Sequence, residues 1–377
     1  MTPPRPHLWP LNPGSELPPT VVAIPARDEA AGIGTTLRAL DAQVDRDGQR
    51  FQNFGVLLLV NNCCGGTAAR AMQAAPRGLK LRIEEVVLPP SEANVVGARR
   101  RALDRAAELA GDGGVIVSTD ADTRAAPDWL WALLQPILAG ANAAAGRILL
   151  DGDVAALHEE VRRTHHLDDL YRLAACQLGA RLNPDPADPW PSHWQHFGAN
   201  LALSVRAYRA VGGVPQVPCL EDVALVRELR RADLTLRHTP DARVYTSARL
   251  SGRVAVGLST QLAEWRRGPQ VWRVPGGAEI AALSQAEAGL RAAYPGGWHL
   301  HLPHLWRSEA GLLRAALHAP TLGLALEAAH AAREAGDWSA RYPPVPVGQA
   351  LDEVCGLLDQ TVAPVLSGPS RVNTSSR

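Results

Sequence analysis

Short apolar runs alternate with helical patterns from residue 20 to residue 150, and this alternation constrains the fold more than any other feature. The runs predicted to be strands are Val21–Ile24, Gly55–Val60, Leu81–Leu88, Val115–Thr119 and Ala143–Leu150. The patterns predicted to be helices are Ala30–Gln43, Thr67–Ala75, Asn94–Ala110 and Pro127–Leu138, the last with proline in its first turn. Repeated strand–helix units predict an α/β fold with a mostly parallel sheet flanked by helices.

The rest of the chain is predicted to be more helical. The elements expected after residue 150 are a helix at Val154–Leu182, a proline-rich loop at Asn183–His196, a strand at Phe197–Ser204, a helix at Glu221–Arg231 and one or two short strands within Leu234–Tyr245. The resulting division is an extended N-terminal arm (1–19), an α/β domain (20–255, with halves 20–150 and 151–255), an additional α-helical C-terminal region (256–365) and a disordered tail (366–377).

Charge and cysteine content exclude several classes of protein. Basic and acidic residues number 38 each, whereas a dedicated nucleic-acid-binding protein normally carries a basic surplus. The five cysteines form no CxxC pair, which favours a reducing compartment over a disulfide framework or a zinc cluster. The N-terminus lacks a signal-peptide core, and no run approaches the roughly 18 apolar residues of a membrane span. We expect a cytoplasmic protein without a transmembrane segment, with peripheral membrane contact left open.

Two carboxylates, Asp120 and Asp122, follow the predicted strand Val115–Thr119. At positions i and i+2 they leave the strand on the same side, at the sheet edge where α/β proteins bind ligands. Mg²⁺ and Mn²⁺ prefer such oxygen ligands and complete their coordination with water and substrate phosphates. The alternative interpretation is an acidic turn, because acidic residues are common in turns.

A second acidic pair, Glu221 and Asp222, opens the predicted helix Glu221–Arg231. One interpretation is a general base that takes a proton from an attacking hydroxyl. The other is an ordinary pair of carboxylates that interact with the helix dipole, which would lower their pKa and weaken a base. Burial beside another carboxylate would act in the opposite direction.

Three other strand exits carry polar candidates. In the segment Asn61–Thr67, asparagine side chains can pair with a nucleobase edge and the glycines allow close approach of a ligand. The segment Pro25–Glu29 follows the first strand in the same way. Of the arginines in Arg99–Arg101, one is expected to face a diphosphate. Each loop is also compatible with a plain turn between a strand and a helix.

Seven segments together resemble glycosyltransferase family 2, the inverting transferases of GT-A fold. They are VVAIPARDEAAGI (21–33), VLLLVNNCCGGTA (56–68), ANVVGARRRAL (93–103), VIVSTDADTRAAPDWL (115–130), FGANLALS (197–204), VGG (211–213) and LEDVAL (220–225). Their order and spacing fit the family over residues 20–255. The resemblance implies a nucleotide-sugar half at 20–150 and an acceptor half at 151–255.

The resemblance also implies roles for individual residues. Those expected to contact the nucleotide sugar are Pro25, Arg27, Glu29, Asn62, Arg99, Asp120, Gly198, Asn200, Arg249 and Arg253. Asp120 and Asp122 would bind Mg²⁺ or Mn²⁺. Asp222 would be the catalytic base, with Glu221 beside it.

The expected function is that of a metal-dependent inverting glycosyltransferase. It would move one sugar from a nucleoside-diphosphate sugar to a hydroxyl or lipid-phosphate acceptor. Processive synthases of the family carry a QxxRW motif, whereas residues 261–265 here are QLAEW, so a single transfer is predicted. Two other functions remain open: a nucleotidyltransferase, and a catalytically inactive module that binds nucleotide sugars.

Overall fold

The computed structural model describes residues 17–151, 157–246 and 257–362. Its strands are β1 (Thr20–Ala26), β2 (Gly55–Asn61), β3 (Leu81–Val86), β4 (Val115–Ser118), β5 (Arg124–Ala125), β6 (Ala143–Leu150), β7 (Leu201–Ser204), β8 (Leu236–Thr246), β9 (Arg273–Val274) and β10 (Val345–Pro346). Its helices are α1 (Ile33–Asp41), α2 (Thr67–Ala74), α3 (Val95–Ala110), α4 (Trp129–Leu138), α5 (Glu159–Leu182), α6 (Val205–Ala210), α7 (Glu221–Arg231), α8 (Leu258–Trp265), α9 (Gly277–Ala293), α10 (Leu302–Trp306), α11 (Ala310–Leu317), α12 (Leu322–Glu334), α13 (Trp338–Arg341) and α14 (Val347–Val362). Apart from residues 17–19, the predicted arm lies outside the described residues, as does the predicted tail.

The described strands β1 to β8 form one sheet in the order β3-β2-β1-β4-β7-β6-β8-β5. Strands β3, β2, β1 and β4 are mutually parallel, so their carboxyl ends meet at one edge. Strand β7 is antiparallel to β4, with Leu201 opposite Ser118. The residues that enter β7 therefore lie beside the residues that leave β4.

The central strands β1, β2 and β4 are buried on both faces, which explains their continuous apolar runs. Along β1, Val22 and Ile24 pack against α1, α2 and α4 on one face. Val21 and Ala23 pack against α3, α6 and α7 on the other face. The predicted α/β class and the additional helical C-terminal region are confirmed.

Several predicted boundaries are wrong in an instructive way. Helix α4 begins at Trp129, with Asp128 at its N-cap position, so Pro127 precedes the helix instead of occupying its first turn. Strand β7 begins only at Leu201, because the chain turns just before it, where Asn200 N–H donates to Phe197 O. The segment from Leu236 forms one long strand, β8.

The C-terminal helices form cores of their own. Helices α9 to α12 surround the buried Trp306 and Leu313. Helix α14 packs through Val354 against α5, near Tyr171 and Leu178. Across the described residues, no helix combines the length and apolar character that crossing a membrane requires.

Candidate active site

A buried arginine connects the two acidic motifs. Arg99, on α3, is 6% exposed. Its Nη2 donates to Asp120 Oδ1 and its Nε donates to Glu221 Oε1, both at 2.8 Å. Its Nη1 donates to Ser118 Oγ at 2.8 Å and to Gly198 O at 3.0 Å. The exit of β4, the entry to β7 and the start of α7 are thus held by one side chain.

The group around this guanidinium is referred to below as the Arg99 cluster. Its members are Arg99, Ser118, Asp120, Gly198, Glu221 and Asp222. When the carboxylates of Asp120, Glu221 and Asp222 are all ionised, three negative charges face one positive charge, leaving a surplus of two negative charges. Although burial alone would lower it, these three carboxylates hold the pKa of Arg99 above its ordinary value. The guanidinium therefore stays charged at any physiological pH.

Asp222 is held at the start of α7 by two backbone donors. Its Oδ2 accepts from Gly198 N–H at 2.7 Å, and its Oδ1 accepts from Val223 N–H at 2.8 Å. Burial raises the pKa of Asp222 above its ordinary value, against the opposing effects of Arg99 and of these hydrogen bonds. A carboxylate with a raised pKa is a stronger base than an ordinary aspartate.

Gly198 is required at its position because Arg99 lies against it. A Cβ atom added at Gly198 would lie 2.5 Å from Cζ of Arg99 and 2.6 Å from its Nε. The absent side chain lets the Gly198 carbonyl accept from Arg99 while its N–H donates to Asp222.

The loop 183–196, which precedes Gly198, is anchored to the sheet on both sides. Asp188 accepts from Arg237 Nη1 and from His238 N–H on β8, both at 2.8 Å. Gln195 accepts from Ile148 N–H at 2.7 Å and donates to Ile148 O at 3.2 Å on β6. Although burial would raise it, hydrogen bonds from His238 and Arg237 hold the pKa of Asp188 below its ordinary value. These bonds fix the position from which the chain enters the Arg99 cluster.

The exits of β1, β2 and β3 are tied to one another by side chain–backbone hydrogen bonds. Asp28 Oδ1 accepts from Cys64 N–H at 2.9 Å, and Asp28 N–H donates to Cys63 Sγ at 3.1 Å. Asn62 donates to Leu88 O at 2.9 Å and accepts from Leu88 N–H at 3.1 Å. Asp28 and Asn62 both have positive φ, which these residue types tolerate better than most.

The first predicted group of ligand contacts lies at this same edge. Pro25 is half-buried at the end of β1, and Arg27 is exposed and donates to Ala93 O at 3.1 Å. Glu29 is half-buried, and its N–H donates to Thr67 Oγ1 at 3.1 Å. These residues and Asn62 follow neighbouring strands, and β1 also adjoins β4, so the structure brings them to the side of the sheet that carries Asp120.

Asn200 has a different role from the predicted ligand contact. Its side chain is fully buried. Its Nδ2 donates to Arg147 O and Ala242 O at 2.9 and 3.0 Å, and its Oδ1 accepts from Trp129 Nε1 at 2.8 Å. The amide fills the space that a side chain at Gly146 would occupy. Asn200 therefore joins β6, β8 and α4, and cannot reach a ligand.

Arg99 and Asn62, two other residues predicted to contact the nucleotide sugar, direct their polar atoms at groups of the protein. The donors of Arg99 are directed at protein acceptors, so Arg99 organises carboxylates rather than facing a diphosphate. The polar atoms of Asn62 pair with the backbone of Leu88 instead of presenting a free amide edge. Arg249 and Arg253 lie outside the described residues.

The residues at the β4 exit fit a divalent cation by their donor chemistry. Asp120 is 37% exposed in its side chain and offers a carboxylate beside the surplus negative charge of the cluster. Asp122 is half-buried, and its Cβ lies 3.5 Å from where a Cβ of Gly32 would be. The described residues contain no group of three metal-ligating side chains. Mg²⁺ commonly uses only one or two carboxylates together with substrate phosphates, so this set is sufficient.

Sequence reasoning missed Ser118 and the central position of Arg99. Ser118 is the single polar residue of the β4 run VIVS and is fully buried, which is a weak signal for an internal hydrogen bond. The local signal for Arg99 is that Ala102, Leu103 and Ala106, at i+3, i+4 and i+7 on the same helical face, are all buried, whereas Arg101 faces solvent.

No protein-family model and no curated protein matches the chain, whereas many solved structures are similar to it in fold, and three of them are described here. The mannosyltransferase PcManGT from Pyrobaculum calidifontis, solved with GDP-Man and Mn²⁺, is 18% identical with a TM-score of 0.44, covering 94% of this chain and 82% of its own. TarS residues 1–349 from S. aureus, solved with UDP, is 12% identical with a TM-score of 0.42, covering 86% and 91%. Glucosyl-3-phosphoglycerate synthase from Mycobacterium tuberculosis, solved with Mn²⁺, UDP-Glc and phosphoglyceric acid, is 17% identical with a TM-score of 0.40, covering 68% and 83%. The sequence identities and TM-scores are low, so the function is inferred from this chain's own residues.

Proposed function

We propose that this protein is a metal-dependent inverting glycosyltransferase of the GT-A type, similar to family 2, which moves one sugar from a nucleoside-diphosphate sugar to an acceptor. The observation that carries the proposal is the pair of 2.8 Å bonds from Arg99 to Asp120 and to Glu221. They bring a candidate metal-binding motif and a candidate base into one cluster, although about a hundred residues separate them in the chain. An acidic turn and an isolated helix cap would have no reason to share a buried cation.

In this mechanism Asp120 and Asp122 would hold the cation together with the donor diphosphate. When bound, Mg²⁺ or Mn²⁺ would offset the negative charge that develops on the leaving diphosphate. Arg249 and Arg253 would add positive charge there, as charge-assisted donors do. Arg27, Glu29 and Pro25 would border the nucleotide at the exit of β1.

Asp222 would take the proton of the acceptor hydroxyl as that oxygen attacks the anomeric carbon. The oxygen–carbon bond forms on the face opposite the leaving diphosphate, so the anomeric configuration inverts. Arg99 holds the Gly198 carbonyl and Gly198 N–H holds Asp222, while Glu221 accepts from Arg99 Nε and keeps the guanidinium in place. Burial raises the pKa of Asp222, and this supports its role as the base. A carboxylate whose anion is less stabilised accepts a proton more readily.

The first test is a thermal-shift screen of UDP-, GDP- and dTDP-sugars with Mn²⁺, followed by assays of donor hydrolysis and sugar transfer. A ligand that binds the native state raises its melting temperature. We expect Asp122→Ala to lose metal-dependent donor binding. We expect Asp222→Asn to keep donor binding and lose transfer by about 10²–10⁴-fold, the usual contribution of a general base.

Matched controls are Asp352→Ala and Asp352→Asn, at an exposed aspartate of α14 in the C-terminal region. Both should behave as the unmodified protein does. Full turnover by Asp222→Asn would contradict the assigned base. Release of pyrophosphate from a nucleoside triphosphate would indicate a nucleotidyltransferase instead, and binding without any turnover would indicate an inactive module.

A further inference from the structure

The loop that precedes Asp222 is unusually apolar. Residues 214–220, VPQVPCL, form the last part of the connection from α6 to α7 and include no charged side chain. Pro218, Cys219 and Leu220 are exposed immediately before Glu221. Exposed apolar side chains that adjoin one another commonly mark a binding surface, whereas scattered ones do not.

Leu220 combines exposure with a backbone conformation that leucine rarely adopts. Its φ and ψ are 56° and 46°, in the left-handed region, and 42% of the residue is exposed. Asparagine or glycine would occupy this position with less strain. A strained bulky residue beside a candidate base indicates that its side chain serves a purpose which the fold alone does not require.

Phe197 provides a second exposed apolar side chain at the same place. It is 37% exposed and immediately precedes Gly198, and its ring stacks on His196 with a centroid distance of 5.9 Å. The hydrogen bond from Gly198 N–H to Asp222 Oδ2, at 2.7 Å, joins the two segments. Phe197 thus adjoins the residue that donates to Asp222, and Leu220 lies two positions before Asp222 in the chain, so both exposed side chains belong to segments that hold the candidate base.

We infer that Phe197 and Leu220 bind an apolar group of the acceptor, an alkyl or aryl chain attached close to the hydroxyl that attacks the donor. This inference rests on the proposed function, because only the acceptor must approach Asp222 from solvent. The nucleotide sugar is polar and anionic and would occupy the Asp120 side of the cluster. An apolar chain, in contrast, gains by covering Phe197 and Leu220.

The experiment compares octyl and methyl glycosides of the same sugars, used below the critical micelle concentration, as inhibitors of metal-dependent donor hydrolysis. A probe bound beside Asp222 excludes the water that hydrolysis requires. We expect the octyl form to inhibit at a concentration at least about tenfold lower than the methyl form, because a few buried methylene groups suffice for that preference. Isothermal titration of the octyl glycoside gives a second readout that does not depend on turnover.

The variants are Leu220→Asn, which suits a left-handed backbone, and Phe197→Gln, with Leu300→Asn as the matched control. Leu300 is 84% exposed and lies in the C-terminal region. Leu220→Asn and Phe197→Gln should each reduce the octyl preference several-fold in both readouts, with unchanged circular dichroism, and Leu300→Asn should retain it. Equal inhibition by octyl and methyl forms, or an unchanged preference in both variants, would overturn the inference while leaving the proposed function intact. Absence of metal-dependent donor hydrolysis in the unmodified protein would overturn both.

Discussion

The exits of β1 to β3 and the exit of β4 lie at the same edge of one sheet but use their polar residues differently. At the exits of β1 to β3, Asp28 and Asn62 form hydrogen bonds with the backbone of neighbouring loops and fix these loops to one another. At β4, the polar side chains converge on Arg99 and leave surplus negative charge. Hydrogen bonds to backbone satisfy local geometry, whereas uncompensated charge calls for a partner from solution. A polar residue at a strand exit is therefore informative only when its partners are known.

Among changes at the two groups of strand exits, replacing Arg99 by methionine should cause the largest loss of stability. Glu221 would lose its buried cation, and breaking such a pair by removing one partner typically costs about 3–5 kcal/mol of unfolding free energy. Urea unfolding measures the loss. Arg101→Met is the control, since Arg101 is exposed on the same helix. Equal stability of the two variants would show that the Arg99 cluster does not hold the three segments together.

Gly198→Ala should be the next most severe change. The added Cβ would lie 2.5 Å from Cζ of Arg99, and overpacking of this kind usually costs about 1–3 kcal/mol. Displacement of Arg99 or of Asp222 should also lower sugar transfer. Gly65→Ala is the matched control, because nothing lies within 4 Å of a Cβ added at Gly65 in the β2 exit loop. Normal stability and normal sugar transfer in Gly198→Ala would show that the close approach of Arg99 to Gly198 is not needed.

The pH dependence of transfer should report on Asp222. Only its ionised form accepts a proton, so kcat/KM should fall about tenfold for each pH unit below its pKa. Because burial raises that pKa, the acid limb should have its midpoint above 3.8, the ordinary value. Donor binding by calorimetry over the same range separates the base from the metal site. An acid limb at or below 3.8 would mean that burial does not control this carboxylate, or that another group is the base.

Asn62→Gly should have the smallest effect. Glycine accepts the positive φ of this position, so the main loss is that of the two hydrogen bonds with Leu88, each worth about 0.5–1.5 kcal/mol. Thermal unfolding measures the loss of stability. The control is Gly48→Asn, which makes the opposite substitution at another position of positive φ. A loss as large as that of Arg99→Met would remove the distinction between the two groups of strand exits.

The sequence predicts the α/β class well because β1, β2 and β4 are buried on both faces, which leaves long apolar runs. It does not predict the direction of β7, since Leu201–Ser204 is too short to reveal its pairing. Asn200 shows the limit for site residues. Its motif resembles a ligand-binding segment, yet the amide joins β6, β8 and α4 in the interior. Contacts between residues distant in the chain decide which role a polar side chain takes, and no local pattern contains them.

The most direct measurement is a crystal structure with Mn²⁺ and a nucleoside diphosphate, with the metal located by its anomalous scattering. We expect a manganese peak that is coordinated by Asp120 or Asp122 and by diphosphate oxygens, with Arg99 still bonded to Asp120 and Glu221. Diphosphate and metal bound away from the β4 exit, with the Arg99 cluster closed to both, would contradict it.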